Sequence, residues 1–177
     1  MSRLPPVPHD QWDDDAFAAM ARGQKLPPSN ALGLLAHHPD LAKAFLGFNL
    51  HLLGASTLPK RIRELAVLRV AWRRRCQYEW AQHLLIAKRA GVTDEEIDQI
   101  RTGADTPINR AVAELETDST LSDATYQLLS ADLSDRQLMD LVFTVGAYGL
   151  LAMAFNTFEV ELDPGFSVEN FTYTDGE

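Results

Sequence analysis

Cysteine is all but missing from this sequence. Cys76 is the only one in 177 residues, so no internal disulfide can form and a disulfide-stapled scaffold is excluded. A reducing cytoplasm is the expected setting. Strand-like alternation is missing over any useful length and no short-period repeat is evident, so the expected fold class is all-α. Positive charge is outweighed: 16 Lys and Arg stand against 25 Asp and Glu, a formal net charge of -9. An acidic surface repels phosphate backbones and anionic lipid, so neither nucleic acid nor a membrane is an expected partner. Met1–Asp15 has no basic stretch followed by an apolar one. With Pro5, Pro6 and Pro8 it reads as an extended lead and not as a signal peptide. An H-E-x-x-H motif is absent, and His9, His37, His38 and His51 show no ligand spacing, so no metal is expected.

What is present describes an ordinary globular chain. Apolar residues make up 46% and charged residues 23%, and the length suits one core. Three regions are expected: an arm and short helix over 1–30, a helical domain over 31–165, and a polar, loose tail over 166–177. One long apolar run, Leu138 to Phe158, could tempt a membrane assignment. It contains Asp140, Thr144, Gly146, Gly149 and Asn156. A central carboxylate costs about 3 kcal/mol on insertion. The run therefore reads as a helix buried in protein, partly against neighbouring subunits.

The breakers divide the rest into helices. Expected segments are Asp13 to Arg22, Ser29 or Asn30 to His37, and Asp40 to Leu53, the last with Leu41, Phe45, Phe48 and Leu52 as its buried stripe. Thr57 can cap a helix with Pro59 in its first turn, ending near Arg75. Cys76 to Arg89 follows, with Gly91 as its C-cap. Thr93 with Glu96 and Ser134 with Gln137 are capping boxes opening helices to about Arg101 and Glu159. Pro107 to Glu116 and Ser122 to Ala131 lie between them.

Cys76, Glu79 and His83 are spaced three and four apart, which puts all three on one helix face. Glu64 lies on the preceding helix and reaches the same place if the two helices run antiparallel. One thiol, two carboxylates and one imidazole can then converge. The same spacing also fits a surface Glu79–His83 pair, an inert buried Cys76, and a Glu64 paired with a nearby arginine. Between Leu58 and Arg75 lie seven cations and one acid, Glu64. Such a patch suits a small anionic ligand or an acidic partner subunit, or it is simply a solvated, salt-bridged face.

The pattern Glu64, eleven residues, Cys76, two residues, Glu79, three residues, His83 resembles the alkylhydroperoxidase D active site, which has a second cysteine where Glu79 stands. The flanking text, RELAVLRVAW, CQYEWAQH and AKRAGVTDEEI, resembles the carboxymuconolactone decarboxylase branch of that family, as does VGAYGLLAMAFNTF further on. The resemblance implies an alkylhydroperoxidase D-like helical fold assembled as a homotrimer or hexamer. It implies cofactor-free decarboxylation or isomerisation of a small carboxylated lactone or related acid. His83 would be the principal acid–base group, Glu79 its partner, and Glu64 the group orienting His83. Tyr78, Tyr148 and one of Arg69, Arg73 or Arg74 would bind substrate. Two further expectations stay open: a one-cysteine peroxidase acting through Cys76, and a non-catalytic oligomeric binding module. A two-cysteine peroxidase cycle is not expected, because Glu79 cannot resolve a sulfenic acid.

Overall fold

The computed structural model describes residues 2–168 and residue 171, and among these every regular element is helical. The α-helices are α1 (Asp14–Ala21), α2 (Asn30–Leu35), α3 (Pro39–Leu50), α4 (Lys60–Arg73), α5 (Gln77–Arg89), α6 (Asp94–Thr102), α7 (Pro107–Asp118), α8 (Asp123–Ser130) and α9 (Asp135–Phe158). Local chemistry sets their ends. Thr93 and Glu96 form the expected capping box on α6, with Glu96 N donating to Thr93 Oγ1 at 3.2 Å and Thr93 N to Glu96 Oε2 at 3.0 Å. Ser134 N donates to Gln137 Oε1 at 2.9 Å at the start of α9.

α4 lies at the centre. Ala66, Val67 and Val70 join α7 and α9 in the main core, while Leu68, Ala71 and Trp72 join α5 and α6 in a second one. A helix buried on both sides has no solvent face to fill with charge, so α4 is not amphipathic. α1 packs on α3 through Ala16, Phe17, Ala42 and Leu46. α9 is long and apolar enough to cross a membrane, yet 61% of its most apolar window is buried within this fold. Its buried carboxylate is satisfied there: Asp140 Oδ2 accepts from Thr57 N at 2.6 Å and from Thr57 Oγ1 at 2.7 Å.

Several expectations need correction. Thr57 does not cap α4: the helix begins at Lys60 with Pro59 at the N-cap position, and Thr57 instead donates its N–H and hydroxyl to Asp140. α3 stops at Leu50 and continues as one π turn, His51–Ala55. Its buried stripe is Ala42, Leu46 and Asn49, whereas Leu41 and Phe48 are 54% and 39% exposed. Periodicity counts apolar residues and cannot see that small Ala42 is what lets α1 approach. Against the expectation of a loose tail, Phe171 is buried against Trp72 and Trp80, with ring centroids 5.2 and 5.6 Å away. The remainder of that tail, beyond Val168, lies outside the described residues.

Candidate active site

The site depends on how α4 reverses into α5. Cys76 N donates to Ala71 O at 2.8 Å and Arg75 N to Trp72 O at 3.0 Å, a Schellman pair with Arg75 at φ 54° in the left-handed position. This turn lays α5 back along α4, which brings Glu64 to His83. Glu64 Oε2 lies 2.7 Å from His83 Nδ1, and Glu64 Oε1 accepts from Arg63 Nε at 2.8 Å. Arg63 Nη1 in turn donates to Leu53 O at 2.8 Å and Leu52 O at 3.3 Å. Those carbonyls belong to the π turn, whose altered pairing leaves acceptors for the buried guanidinium.

Burial alone would raise the Glu64 carboxyl, but the hydrogen bond and charge of His83, then of Arg63, outweigh it and hold it below its ordinary value. An ionised Glu64 fixes the proton on His83 Nδ1 and leaves Nε2 for the cavity. The His83 ring also meets Tyr148 edge-on, centroids 4.9 Å apart.

His83 lies on the wall of a cavity of about 270 Å³, shared with Glu79, Tyr78, Tyr148, Asn49, Gln82 and Ser29 and otherwise apolar. Glu79 is 2% exposed, and among the described residues neither carboxyl oxygen makes a hydrogen bond of normal geometry, the Cys76 thiol being a polar neighbour only. Burial pushes its pKa well above the ordinary value, opposed only in part by the Cys76 thiol and the charge of Arg74. Two carboxyls at one site are therefore pushed in opposite directions, Glu64 down by its partners and Glu79 up by burial.

Glu79 carries a stability prediction. In the folded chain it stays protonated beyond pH 4.5, where the unfolded chain already ionises it. The folded state then binds the extra proton, so this group's contribution falls as pH rises from about 4.5 toward the folded value. Glu79→Gln, which cannot ionise, should gain melting temperature relative to the parent as pH goes from 4.5 to 7.5. A gap that stays constant across a series of thermal melts would contradict the neutral Glu79.

The structure brings together four of the expected residues at the cavity, His83, Glu79, Tyr78 and Tyr148, with Glu64 directly behind His83. It separates others. Cys76 is fully buried and absent from the cavity wall. Burial, then the charge of Glu79, push its thiol up to about 12, against a smaller pull from the backbone amides of Glu79 and Tyr78. The activation expected from Arg75 and the helix start is overridden by desolvation. At pH 8 the folded protein should react with an aromatic disulfide reagent at least about 100-fold more slowly than the guanidinium-unfolded chain; equal rates would reverse this assignment.

Arg69 and Arg73 do not bind in the cavity either. Arg69 Nη1 donates to Ile100 O at 2.5 Å, and Arg73 pairs with Glu116 at 3.1 Å and with Thr117 Oγ1 at 3.1 Å. Arg74 also pairs with Glu116, and its guanidinium lies 3.2 Å from where a Cβ on Gly149 would be. Any larger residue there would require the Arg74 side chain to shift. Tyr78 lines the cavity, but its hydroxyl donates to Asp163 Oδ2 at 2.7 Å. Asp163 also receives Gln82 Nε2 and Asn30 N, each at 2.7 Å, tying the chain after α9 to α2 and α5. Asn156 Nδ2 donates to Arg74 O at 2.8 Å and faces away from the site.

Sequence reasoning missed Arg63 and Asn49. Arg63 was one of seven cations with no sign of which is buried. Asn49 stood on a helix whose stripe was set one residue off; an amide among Leu46, Phe45 and Leu53 was the available signal.

The architecture is that of the alkylhydroperoxidase D-like helical proteins. The alkylhydroperoxidase AhpD core protein of Ralstonia eutropha JMP134, an uncharacterized peroxidase-related protein, matches with TM-score 0.74 and 21% identity over 92% of this chain and 93% of that one. An uncharacterized peroxidase-related protein of Silicibacter sp. TM1040 matches with TM-score 0.69 and 16% identity, over 93% and 90%. The debrominase Bmp8, as a cysteine-to-alanine variant with 2,3,4-tribromopyrrole, matches with TM-score 0.68 and 14% identity, over 91% of each. At these identities the likeness is one of fold. No curated protein matches the sequence. Residues 39–116, from α3 through α7 and including Glu64, Cys76, Glu79 and His83, match the carboxymuconolactone decarboxylase family. The likeness to that family is carried by this segment of the chain.

Proposed function

We propose that this protein is a cofactor-free acid–base enzyme, a decarboxylase or isomerase of a small carboxylated lactone or related acid with an apolar body. The observation that carries this is the chain Arg63–Glu64–His83, which ends with an oriented imidazole on the wall of a cavity shared with Glu79. His83 Nε2 moves the proton. Glu64 sets its tautomer and stabilises the imidazolium that forms, and Glu79 is the second proton-bearing group. Apolar walls favour loss of carbon dioxide, because a carboxylate's concentrated charge is less well solvated there than the dispersed charge of the transition state. Peroxidase chemistry through Cys76 is the weaker reading, since a buried thiol near 12 is not the attacking thiolate that reaction needs.

A homo-oligomer, trimeric or hexameric, is part of this proposal, as is a cytoplasmic setting. Met139, Phe143, Leu150 and Met153 on α9 are each at least half exposed, and Phe48 of α3 touches Phe143 with centroids 6.1 Å apart. A contiguous apolar face of that kind suits a second copy of the chain.

The test is a turnover screen of lactone and keto acids run beside hydroperoxides with a thiol donor. Activity on the acids that survives Cys76→Ser supports the proposal. Turnover of hydroperoxides alone, lost in Cys76→Ser, would overturn it.

A further inference from the structure

Two buried polar groups on the cavity wall make no hydrogen bond of normal geometry among the described residues. One is the Glu79 carboxyl on α5. The other is Asn49 on α3, 6% exposed, whose Oδ1 is buried and unbonded. No hydrogen bond among the described residues holds the Asn49 amide in one orientation, so its N–H2 can turn to a ligand. An unpartnered polar atom in a dry wall is destabilising, and water is the usual remedy. Both groups lie in the same cavity as His83, and they come from different helices.

We propose that Asn49 and Glu79 form an oxyanion site, with the Glu79 carboxyl O–H and the Asn49 amide N–H donating to one carbonyl oxygen of the substrate. The inference rests on the acid–base reading and extends it. The ligand class is an enolisable carbonyl compound with a neutral, apolar body. A neutral acid is the better donor here, because it holds a carbonyl without repelling the negative charge that builds on it. In isomerisation, the C–H bond beside the carbonyl breaks and its proton goes to His83 Nε2. The bonding pair forms a C=C bond and the carbonyl π pair moves onto oxygen, where both donors receive it. Where the substrate carries a C=C bond next to the deprotonated carbon, the pair on oxygen re-forms the carbonyl, the new C=C bond stays conjugated with it, and the pair of the original C=C bond takes the proton back from His83 at its far carbon. In decarboxylation, the C–CO2 bond breaks and carbon dioxide leaves. Its electron pair follows the same path to oxygen, and His83, protonated from solvent, delivers the proton to carbon.

The probe is carbonyl-labelled cyclohexanone, with methylcyclohexane as the same shape without an acceptor. Bound to the parent protein, the labelled carbonyl stretch should lie at lower frequency than in an alkane solvent. Cyclohexanone should bind about tenfold more weakly to Asn49→Leu while methylcyclohexane is unaffected, and the frequency shift should shrink in both Asn49→Leu and Glu79→Leu. Asn49→Ser provides a second variant should the leucine not fold. A carbonyl band at its alkane-solvent position in the parent, or no saturable binding of the ketone, overturns the oxyanion site. His83→Ala should keep the shifted band, because His83 does not donate to this oxygen. A shifted band with turnover indifferent to His83→Ala would sink the acid–base reading alone. Turnover that needs His83, together with an unshifted band, would sink the oxyanion site alone.

Discussion

His83→Ala is expected to lower kcat by about 10²–10⁴-fold on whichever acid the screen identifies, with KM changed only a few-fold. His83 is the one side chain at the cavity with both a fixed tautomer and a free nitrogen. Its Nδ1 is committed to Glu64 at 2.7 Å, so Nε2 is positioned without any conformational search. The other polar groups on that wall cannot substitute. The Tyr78 proton is spent on Asp163, and burial holds the Tyr148 hydroxyl above its ordinary value, so neither is a base near neutrality. The loss should fall on kcat because removing a proton carrier affects the transition state more than the ground state. Steady-state kinetics on the purified variant decide this. A fall in kcat/KM due entirely to KM would make His83 a binding group only.

Glu64→Gln is expected to be the most destabilising single change at the site, at about 3–5 kcal/mol. Glu64 has no exposed surface and Arg63 is 6% exposed, so removing the carboxylate's charge leaves a guanidinium in the core with only carbonyls to meet it. That loss is a large part of the roughly 5–15 kcal/mol that holds a domain together. The cost belongs to the broken pair and not to the pair itself. Arg63→Met with Glu64→Gln should therefore recover most of the stability, although not the activity. The pH dependence is opposite to that of Glu79. Glu64 has a lowered folded pKa, so its contribution is present above about pH 4.5 and is lost as pH falls through the lower folded value. The gap between parent and Glu64→Gln should close in acid. Denaturant melts at a series of pH values measure both effects, and a gap that widens in acid would mean that Glu64 is neutral in the fold.

The two glutamates show where local information ends. Both lie at positions matched to a four-residue pattern, and their spacing placed them correctly on facing helices. Nothing in that spacing distinguishes an ionised Glu64, held by Arg63 and His83, from a neutral Glu79. That difference comes from packing: Glu64 meets Arg63 and, across the α4–α5 reversal, His83, whereas Glu79 is buried without an ion partner of its own. The arginines show the same limit. Seven cations between Leu58 and Arg75 read as one patch, yet Arg63 is buried behind the site, Arg69 bonds the end of α6, and Arg73 and Arg74 hold Glu116 on α7. Charge composition marked the segment, and only packing assigned each residue its partner.

The sequence by itself determined the helices, the capping residues at Thr93, Ser134 and Gly91, and the face shared by Glu79 and His83. These depend on hydrogen bonds and side-chain spacings that close within a turn or two. The tertiary structure alone decided that Cys76 is buried, that Asn49 enters the cavity, and which carboxyl carries charge. Each of those outcomes is set by desolvation and by partners distant in sequence, and both exist only once α3, α5 and α9 have closed around α4.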